Sequence, residues 1–357
     1  MAAPTIAATH HATGTNASAQ LTSVVTGAAG FVGQALVQRL LIEGDRVRAL
    51  VLRGDPLAGE LRTICAERDR LEIIEGDVTE YASIAAAFAG AQRAFHTAAL
   101  VHAWAPRARF WAANVTGTQN VARAAREHGV ARLVAVSTSD VFGLPVGDRI
   151  LDETCARREW AEPYADSKIA AERWLWDYAR ESGLATSIIY PGWVYGPGDR
   201  AFFPGLVHAI RSGTMMFWHR NVRLPWVFIS NLVDACLLAS SRPHAIGEGY
   251  LIFDTLEGPT LQAVCARLAA VVGARAPTRH IPYSLALGAA WLLQSLWRAT
   301  GATTPPPLLT VDVKAFGFQW EFSNAKAREH LGWTPNVPTE AGMQQALDFV
   351  IRQQGNR

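Results

Sequence analysis

Long apolar runs are absent from this chain of 357 residues: no uninterrupted stretch reaches the about eighteen residues that a bilayer-spanning helix requires. Cysteine is scarce. The four, at positions 65, 155, 236 and 265, make no close pair and no metal-ligand spacing, which excludes a disulfide framework and a thiolate metal centre. They read as reduced, partly buried thiols of a cytoplasmic protein. Charge is thin and balanced: 33 Lys and Arg face 31 Asp and Glu, the formal net charge is +2, and no basic run offers a phosphate-backbone footprint. That excludes nucleic acid as a partner. Residues 1 to 20 lack the basic start and apolar run of a secretory signal and the Arg of a transit peptide. They read as a disordered tail, in which His10 and His11 stand too alone to make a metal site.

What is present is a composition 50% hydrophobic and 18% charged, in the range of one large globular domain or two intimate ones. From residue 22 to about 190, β-branched runs alternate with amphipathic stretches, the pattern of a doubly wound parallel sheet, or Rossmann fold, wrapped by crossover helices. The strands are expected at Thr22–Val25, Val47–Leu52, Leu71–Ile74, Ala94–His96, Leu133–Val136 and Ala185–Tyr190. Helices are expected near 31–43, 80–89, 107–128 and 163–182, where apolar residues recur at three-to-four spacing. A dinucleotide-binding domain therefore spans 21–190 and is rejoined by about 226–255, through a strand and helix near 227–240 and a strand at Tyr250–Phe253. Residues 191–225 and 256–357 are left to form a smaller, mostly helical substrate-binding region.

The first expected strand runs into Thr26-Gly27-Ala28-Ala29-Gly30-Phe31-Val32-Gly33, a glycine turn that opens a helix. Gly27 permits the tight turn, Gly30 lets a pyrophosphate approach the backbone, and Gly33 allows close helix–strand packing. The second strand ends at Leu52-Arg53, where an NAD site usually carries an acid for the ribose 2′-hydroxyl. Arg53 can meet a 2′-phosphate instead, so NADP is favoured, with nearby Asp55 keeping NAD open and a merely solvated Arg53 the plain alternative. After the third strand, Asp77 has two readings, an acceptor for the adenine amino group or a helix cap.

Tyr164 and Lys168 are four apart at the start of an expected helix, which puts phenol and ammonium on one face. A neighbouring ammonium is expected to lower a phenol from its ordinary pKa near ~10 toward a working acid/base. Ser137-Thr138-Ser139-Asp140 ends the fifth strand, at the edge where open α/β sheets bind ligands. A hydroxyl there can bond the substrate oxygen while Tyr164 exchanges the proton, although Ser137 and Ser139 taken singly read as turn residues.

The order Thr26–Gly33, Gly76–Val78, Phe95–Ala99, Asn114–Thr118, Thr138, Tyr164–Lys168 and Pro191–Asp199 resembles the extended short-chain dehydrogenase/reductases. Within them, Ile281-Pro282-Tyr283, Pro305–Leu309 and Phe322–Arg328 resemble the 3β-hydroxysteroid and sterol-4α-carboxylate 3-dehydrogenase branch, to which the 3-oxoacid reductases of long-chain olefin synthesis are close. The resemblance implies an NAD(P)-dependent oxidoreductase that interconverts a secondary alcohol and a ketone on a steroid-like or long-chain apolar substrate. It implies catalytic roles for Tyr164 (acid/base), Lys168 (partner and nicotinamide-ribose ligand) and Thr138 (substrate-oxygen hydroxyl), with Asn114 either steadying the site through a water or starting a helix. It places Phe31, Val32, Val78, Ala98, Pro191 and Val194 against the cofactor beside the glycines, Arg53 and Asp77. Ser139, Asp140 and Trp193 fall to the substrate. Tyr190 departs from the pattern, standing where an Arg often precedes the Pro-Gly.

Nucleotide-sugar epimerases and dehydratases share these motifs. A dehydratase, however, would show Thr-Asp-Glu where this chain has Thr138-Ser139-Asp140. A non-enzymatic nucleotide sensor on the same fold would lose the Tyr/Lys pair. Finally, Ser284–Trp297 carries no charged residue and follows Pro282, a residue suited to a helix start. One reading is a buried helix; the other is a lid that brings Trp291 to an apolar pocket and rests on a membrane surface. A homodimer is left open.

Overall fold

The computed structural model describes residues 20–65, 68–101, 104–144, 150–219 and 222–355; the expected tail with His10 and His11 lies outside them, apart from Gln20. The alternation read from the sequence becomes strand β1 (Thr22–Thr26), helix α1 (Phe31–Ile42), β2 (Arg46–Val51), α2 (Ala58–Ile64) and β3 (Leu71–Glu75). There follow α3 (Tyr81–Ile84), extended by a tighter turn over Ala85–Phe88, and β4 (Arg93–His96). One continuous helical run then comprises α4 (Arg107–Phe110), a wide turn over Trp111–Thr116 and α5 (Gly117–Glu127). It leads to β5 (Arg132–Val136), α6 (Pro163–Ser182) and β6 (Thr186–Pro191). The long helix α6 starts with Pro163 in its first turn and stops at Gly183, which takes the left-handed conformation that ends helices cheaply.

Seven strands form one parallel sheet in the order β3-β2-β1-β4-β5-β6, closed by β9 (Gly249–Ile252). The order reverses between β1 and β4, which is the switch point where doubly wound sheets leave a crevice at the carboxyl ends of the strands. Alternate strand residues feed two cores: Val24, Leu50, Ala94, Leu133 and Ile188 face one layer of helices, and Val25, Ala49, Phe95, Val134 and Ile189 face the other. Burial on both faces is why these strands read as apolar runs instead of strict alternations.

Between β6 and β9 the chain makes β7 (Trp193–Tyr195), α7 (Phe202–Arg211), β8 (Trp226–Phe228) and α8 (Ile229–Ser241). The strand expected near 227 pairs with β7 in a parallel two-stranded ribbon, Trp193 opposite Trp226, separate from the main sheet. The remainder is helical: α9 (Leu261–Val271), α10 (Tyr283–Ala299), α11 (Thr310–Ala315) and α12 (Thr339–Gly355). The expectation that α10 is a buried helix is corrected: only Ala286 and Ala290 are buried, against Val313 of α11, while Leu285, Trp291, Leu292 and Leu296 are all more than half exposed. All four cysteines are free and buried.

Candidate active site

The turn after β1 is shaped by what its glycines leave out. Gly27 has φ +66°, and a Cβ there would stand 2.7 Å from the backbone of Ala98; at Gly33 a Cβ would stand 2.2 Å from the Gly27 carbonyl oxygen. Only glycine permits both approaches. Helix α1 begins at Gly30 with no side-chain cap, and no acid occupies the first turn that Phe31, Val32 and Gly33 open. An uncapped helix N-terminus beside a close-approach turn fits a dinucleotide pyrophosphate. Gly198 packs toward the Phe31 ring, so the segment after β7 closes on the same turn.

Arg53 follows β2 with 85% of its side chain exposed and its Nε 3.9 Å from Glu75 Oε2. Asp55 is used locally, its Oδ1 accepting from Leu57 N at 2.9 Å. Asp77 is likewise engaged, accepting from Thr79 N at 2.8 Å and so closing the turn that leads to α3. Val78 is fixed by Asn120, whose Nδ2 donates to its carbonyl at 2.9 Å. Pro191 ends β6 fully buried; the next residue, Gly192, runs so close to Pro225 that a Cβ would meet its carbonyl oxygen. Val194 and Trp193 belong to β7, and the Trp193 ring packs on Phe202 at 5.0 Å and Phe316 at 5.1 Å, an aromatic wall drawn from three parts of the chain.

A buried hydrogen-bond chain joins the glycine turn to α6. Thr26 Oγ1 lies 2.8 Å from His96 Nδ1, and His96 Nε2 lies 3.0 Å from Thr118 Oγ1. The Thr118 hydroxyl spends its one proton on the Asn114 carbonyl at 2.6 Å, so His96 must donate from Nε2 and accept at Nδ1. Burial, helped by the Lys168 charge, holds this imidazole neutral with a pKa pushed down to about 3. Asn114 sits in the wide turn within the α4–α5 run, which excludes its helix-start reading. Its side chain clamps the Leu100 backbone and donates to Ser167 Oγ at 2.9 Å; Ser167 in turn donates to the Tyr164 carbonyl at 2.7 Å.

Thr138, just past β5, and Tyr164, at the head of α6, are both buried at this edge, and Thr138 is near enough to pull the phenol down slightly against the larger upward push of burial. Thr138 Oγ1 accepts from Asp140 N at 3.2 Å, and burial raises the Asp140 carboxyl to about 6. Lys168 donates to the Val136 carbonyl at 2.8 Å, and burial lowers its pKa to about 8. The phenol departs from expectation: burial first, and the Asp140 charge second, hold Tyr164 well above its ordinary pKa. Ser139 is buried in the turn that follows Thr138, and the buried Ser137 hydroxyl has no hydrogen-bond partner among the described residues.

Several residues that shape this edge carry no motif. Trp160 Nε1 donates to the Asp140 carbonyl at 3.2 Å, and its own carbonyl accepts from Lys314 Nζ of α11 at 3.1 Å. Arg157 donates to Glu172 Oε1 at 2.9 Å and to the Tyr190 hydroxyl at 2.9 Å, while Tyr190 donates to the same carboxylate at 2.6 Å. The departure at Tyr190 is thus built into a buried triad with a guanidinium from a loop. Trp291, 65% exposed on α10, is not brought into this cluster.

The model of the NAD-dependent epimerase/dehydratase family matches residues 23–252. The chain is 31% identical over 322 residues to 4-hydroxy-2-methyl-3-oxo-4-farnesyl-3,4-dihydroquinoline-1-oxide ketoreductase of Stigmatella aurantiaca, covering 89% of this chain and 93% of that one. It is 29% identical over 348 residues to 3β-hydroxysteroid dehydrogenase/Δ5→4-isomerase of Mycobacterium tuberculosis, covering 92% and 90%. Among solved structures, that of gox2253 superposes with a TM-score of 0.74 at 28% identity, covering 94% of this chain and 98% of the other.

Proposed function

The chain belongs to the NAD-dependent epimerase/dehydratase family, and from that premise we propose that Tyr164, Thr138 and Lys168 make it an oxidoreductase interconverting a secondary alcohol and a ketone on an apolar substrate. The chain is an NAD(P)-dependent dehydrogenase/reductase acting on CH–OH groups. The observation that carries the residue assignment is the burial of Thr138, just past β5, and of Tyr164 and Lys168, one helical turn apart at the head of α6, at the carboxyl edge of the sheet. When bound, the nicotinamide supplies or accepts the hydride at the substrate carbon. In reduction, Tyr164 gives its phenolic proton to the carbonyl oxygen while the Thr138 hydroxyl holds that oxygen in place. Lys168 holds the ribose, and Phe31, Val32, Val78, Ala98, Pro191 and Val194 position the dinucleotide. Arg53, exposed where the ribose-binding acid is missing, supports preference for NADP. The aromatic wall of Trp193, Phe202 and Phe316 supports an apolar substrate over a nucleotide sugar, as does Ser139 standing in place of a dehydratase carboxylate.

The same reading includes a peripheral membrane contact. No helix is long and apolar enough to cross a membrane among the described residues. The outer face of α10 nonetheless exposes Leu285, Trp291, Leu292 and Leu296. From Gly258 to Val311 the chain carries four Arg and not one Asp or Glu, a charge pattern that suits an anionic lipid surface better than a second copy of the chain.

Following NADPH and NADH oxidation by the purified protein against ketosteroids, long-chain 3-oxoacids and UDP-sugars tests the function. Turnover of the apolar ketones is expected. Turnover confined to UDP-sugars, or none with any ketone, overturns the proposal.

A further inference from the structure

We propose that Arg157 is a positioning residue for the reaction: its guanidinium locks the loop of residues 151–160, and that loop holds the turn carrying Thr138 against the helix carrying Tyr164. The inference rests on the oxidoreductase reading above and adds to it the group that keeps the two hydroxyls in place. They come from different elements. Thr138 caps the short turn Ser139–Phe142 that follows β5, whereas Tyr164 stands at the head of α6. Neither belongs to a strand, so the sheet ladder does not by itself fix their separation.

The loop supplies the link through Trp160. Its indole N–H donates to the Asp140 carbonyl in the turn at 3.2 Å, and its backbone N–H donates to Asp166 Oδ1 in α6 at 3.2 Å. Arg158 N adds a bond to the Val141 carbonyl of the same turn at 3.0 Å. A staple of this kind is only as stiff as the segment that bears it, and residues 151–160 form no helix or strand of their own.

Arg157 gives the loop its stiffness. A guanidinium carries five N–H donors in a fixed plane. Nη1 donates to the carbonyls of Glu153 at 3.1 Å and Cys155 at 2.8 Å, which folds the loop onto its own side chain. Nε donates to Glu172 Oε1 on α6 at 2.9 Å, and Nη2 to the Tyr190 hydroxyl on β6 at 2.9 Å. The guanidinium also lies over the Phe142 ring of the turn, 4.4 Å from its centroid. One side chain thus touches the turn, the loop, α6 and β6. Charge alone does not explain this arrangement. The Glu172 side chain is 4% exposed and requires a cation opposite it. The Tyr190 hydroxyl reaches the same carboxylate oxygen at 2.6 Å, so an arginine at that strand position would answer the charge equally well. Drawing the guanidinium from the loop adds what the strand cannot, the two bonds to loop carbonyls.

Three variants separate positioning from charge neutralisation, with kcat, KM, NADPH affinity and Tm measured for reduction of an apolar ketone. Arg157→Lys keeps a cation opposite Glu172 but lacks the planar fork. It is expected to fold with a Tm close to wild type and to lower kcat about tenfold or more, as a small misplacement of reacting groups does. NADPH is expected to bind it nearly as before, because none of these bonds reaches the glycine turn. Arg157→Leu is expected to lose both Tm and kcat. Combining it with Tyr190→Arg returns a guanidinium to Glu172 from the strand, and is expected to recover the Tm and not the kcat. Wild-type kcat in Arg157→Lys or in the double variant overturns the assignment and leaves Arg157 a counter-ion to Glu172. Activity that falls only in step with the folded fraction overturns it too, and Arg157→Lys decides alone where the double variant does not fold. Absence of wild-type turnover with any ketone overturns the reading it rests on, and the assignment with it.

Discussion

At the scale of single residues, the four-residue step from Tyr164 to Lys168 places phenol and ammonium on one face of α6, yet the ammonium is bonded to the Val136 carbonyl and the phenol stays protonated. A phenol held protonated is suited to giving a proton, the task it has in ketone reduction. Tyr164→Phe is therefore expected to lower kcat by at least about a hundredfold, within the range a positioned proton donor contributes, while NADPH still binds. Near-wild-type turnover of that variant in a steady-state assay would remove Tyr164 from the chemistry. Arg53 makes a different claim. A charge-assisted contact to phosphate contributes about 1.5–3 kcal/mol, so Arg53→Ala is expected to weaken NADPH binding tenfold or more and leave NADH nearly unchanged. Equal losses in titrations with the two cofactors would mean that Arg53 does not meet the 2′-phosphate. The motif residues were legible because spacing and position at a strand end carry their meaning. Trp160, Arg157 and Lys314 were not, because each reaches the edge from a loop or a distant helix, and no local pattern marks a side chain that works by long-range contact. Asn114 was half legible: its polarity showed, but its partner Ser167 lies on another helix, 53 residues away.

At the scale of elements, the strands and main helices stood out because burial on both faces of the sheet writes apolar runs into the sequence. Strand β8 was expected near 227, but β7 and the pairing of the two in a separate ribbon were not, since three-residue strands separated by α7 leave no periodicity to read. Helix α10 defeats sequence reading in another way. A uniformly apolar helix has the same appearance whether it is core or an outward apolar face, and only the packing of Ala286 and Ala290 on Val313 shows which side is covered. Because Trp291 and Leu292 are 65% and 54% exposed, replacing both by Ser is expected to leave folding and Tm essentially unchanged. The wild-type protein is expected to sediment with vesicles containing anionic lipid, and the double variant to remain in the supernatant. Equal sedimentation of the two would reject α10 as the contact. A wild type that stays monomeric in solution and ignores vesicles would reject the membrane, and a wild type that dimerises through this face would replace it with a second copy.

At the scale of the whole molecule, the sheet is not finished where its first six strands end. The chain leaves at Pro191, builds the ribbon and two helices, and returns about sixty residues later as β9 to pair with β6. All six residues of β6 are buried, and Tyr190 within it is held by Glu172 and Arg157. During synthesis, then, β6 emerges well before its outer neighbour exists, and for that interval it is an apolar edge with unpaired backbone groups, the kind of surface on which nascent chains stick to one another. A chain cut after Arg200 keeps the glycine turn, Thr138 and Tyr164 but makes that interval permanent. It is expected to form inclusion bodies on expression, whereas the full chain stays dispersed. Co-expression of the missing residues as a separate polypeptide is expected to recover only a fraction of it, because the strand that shields the edge must arrive before the edges find each other.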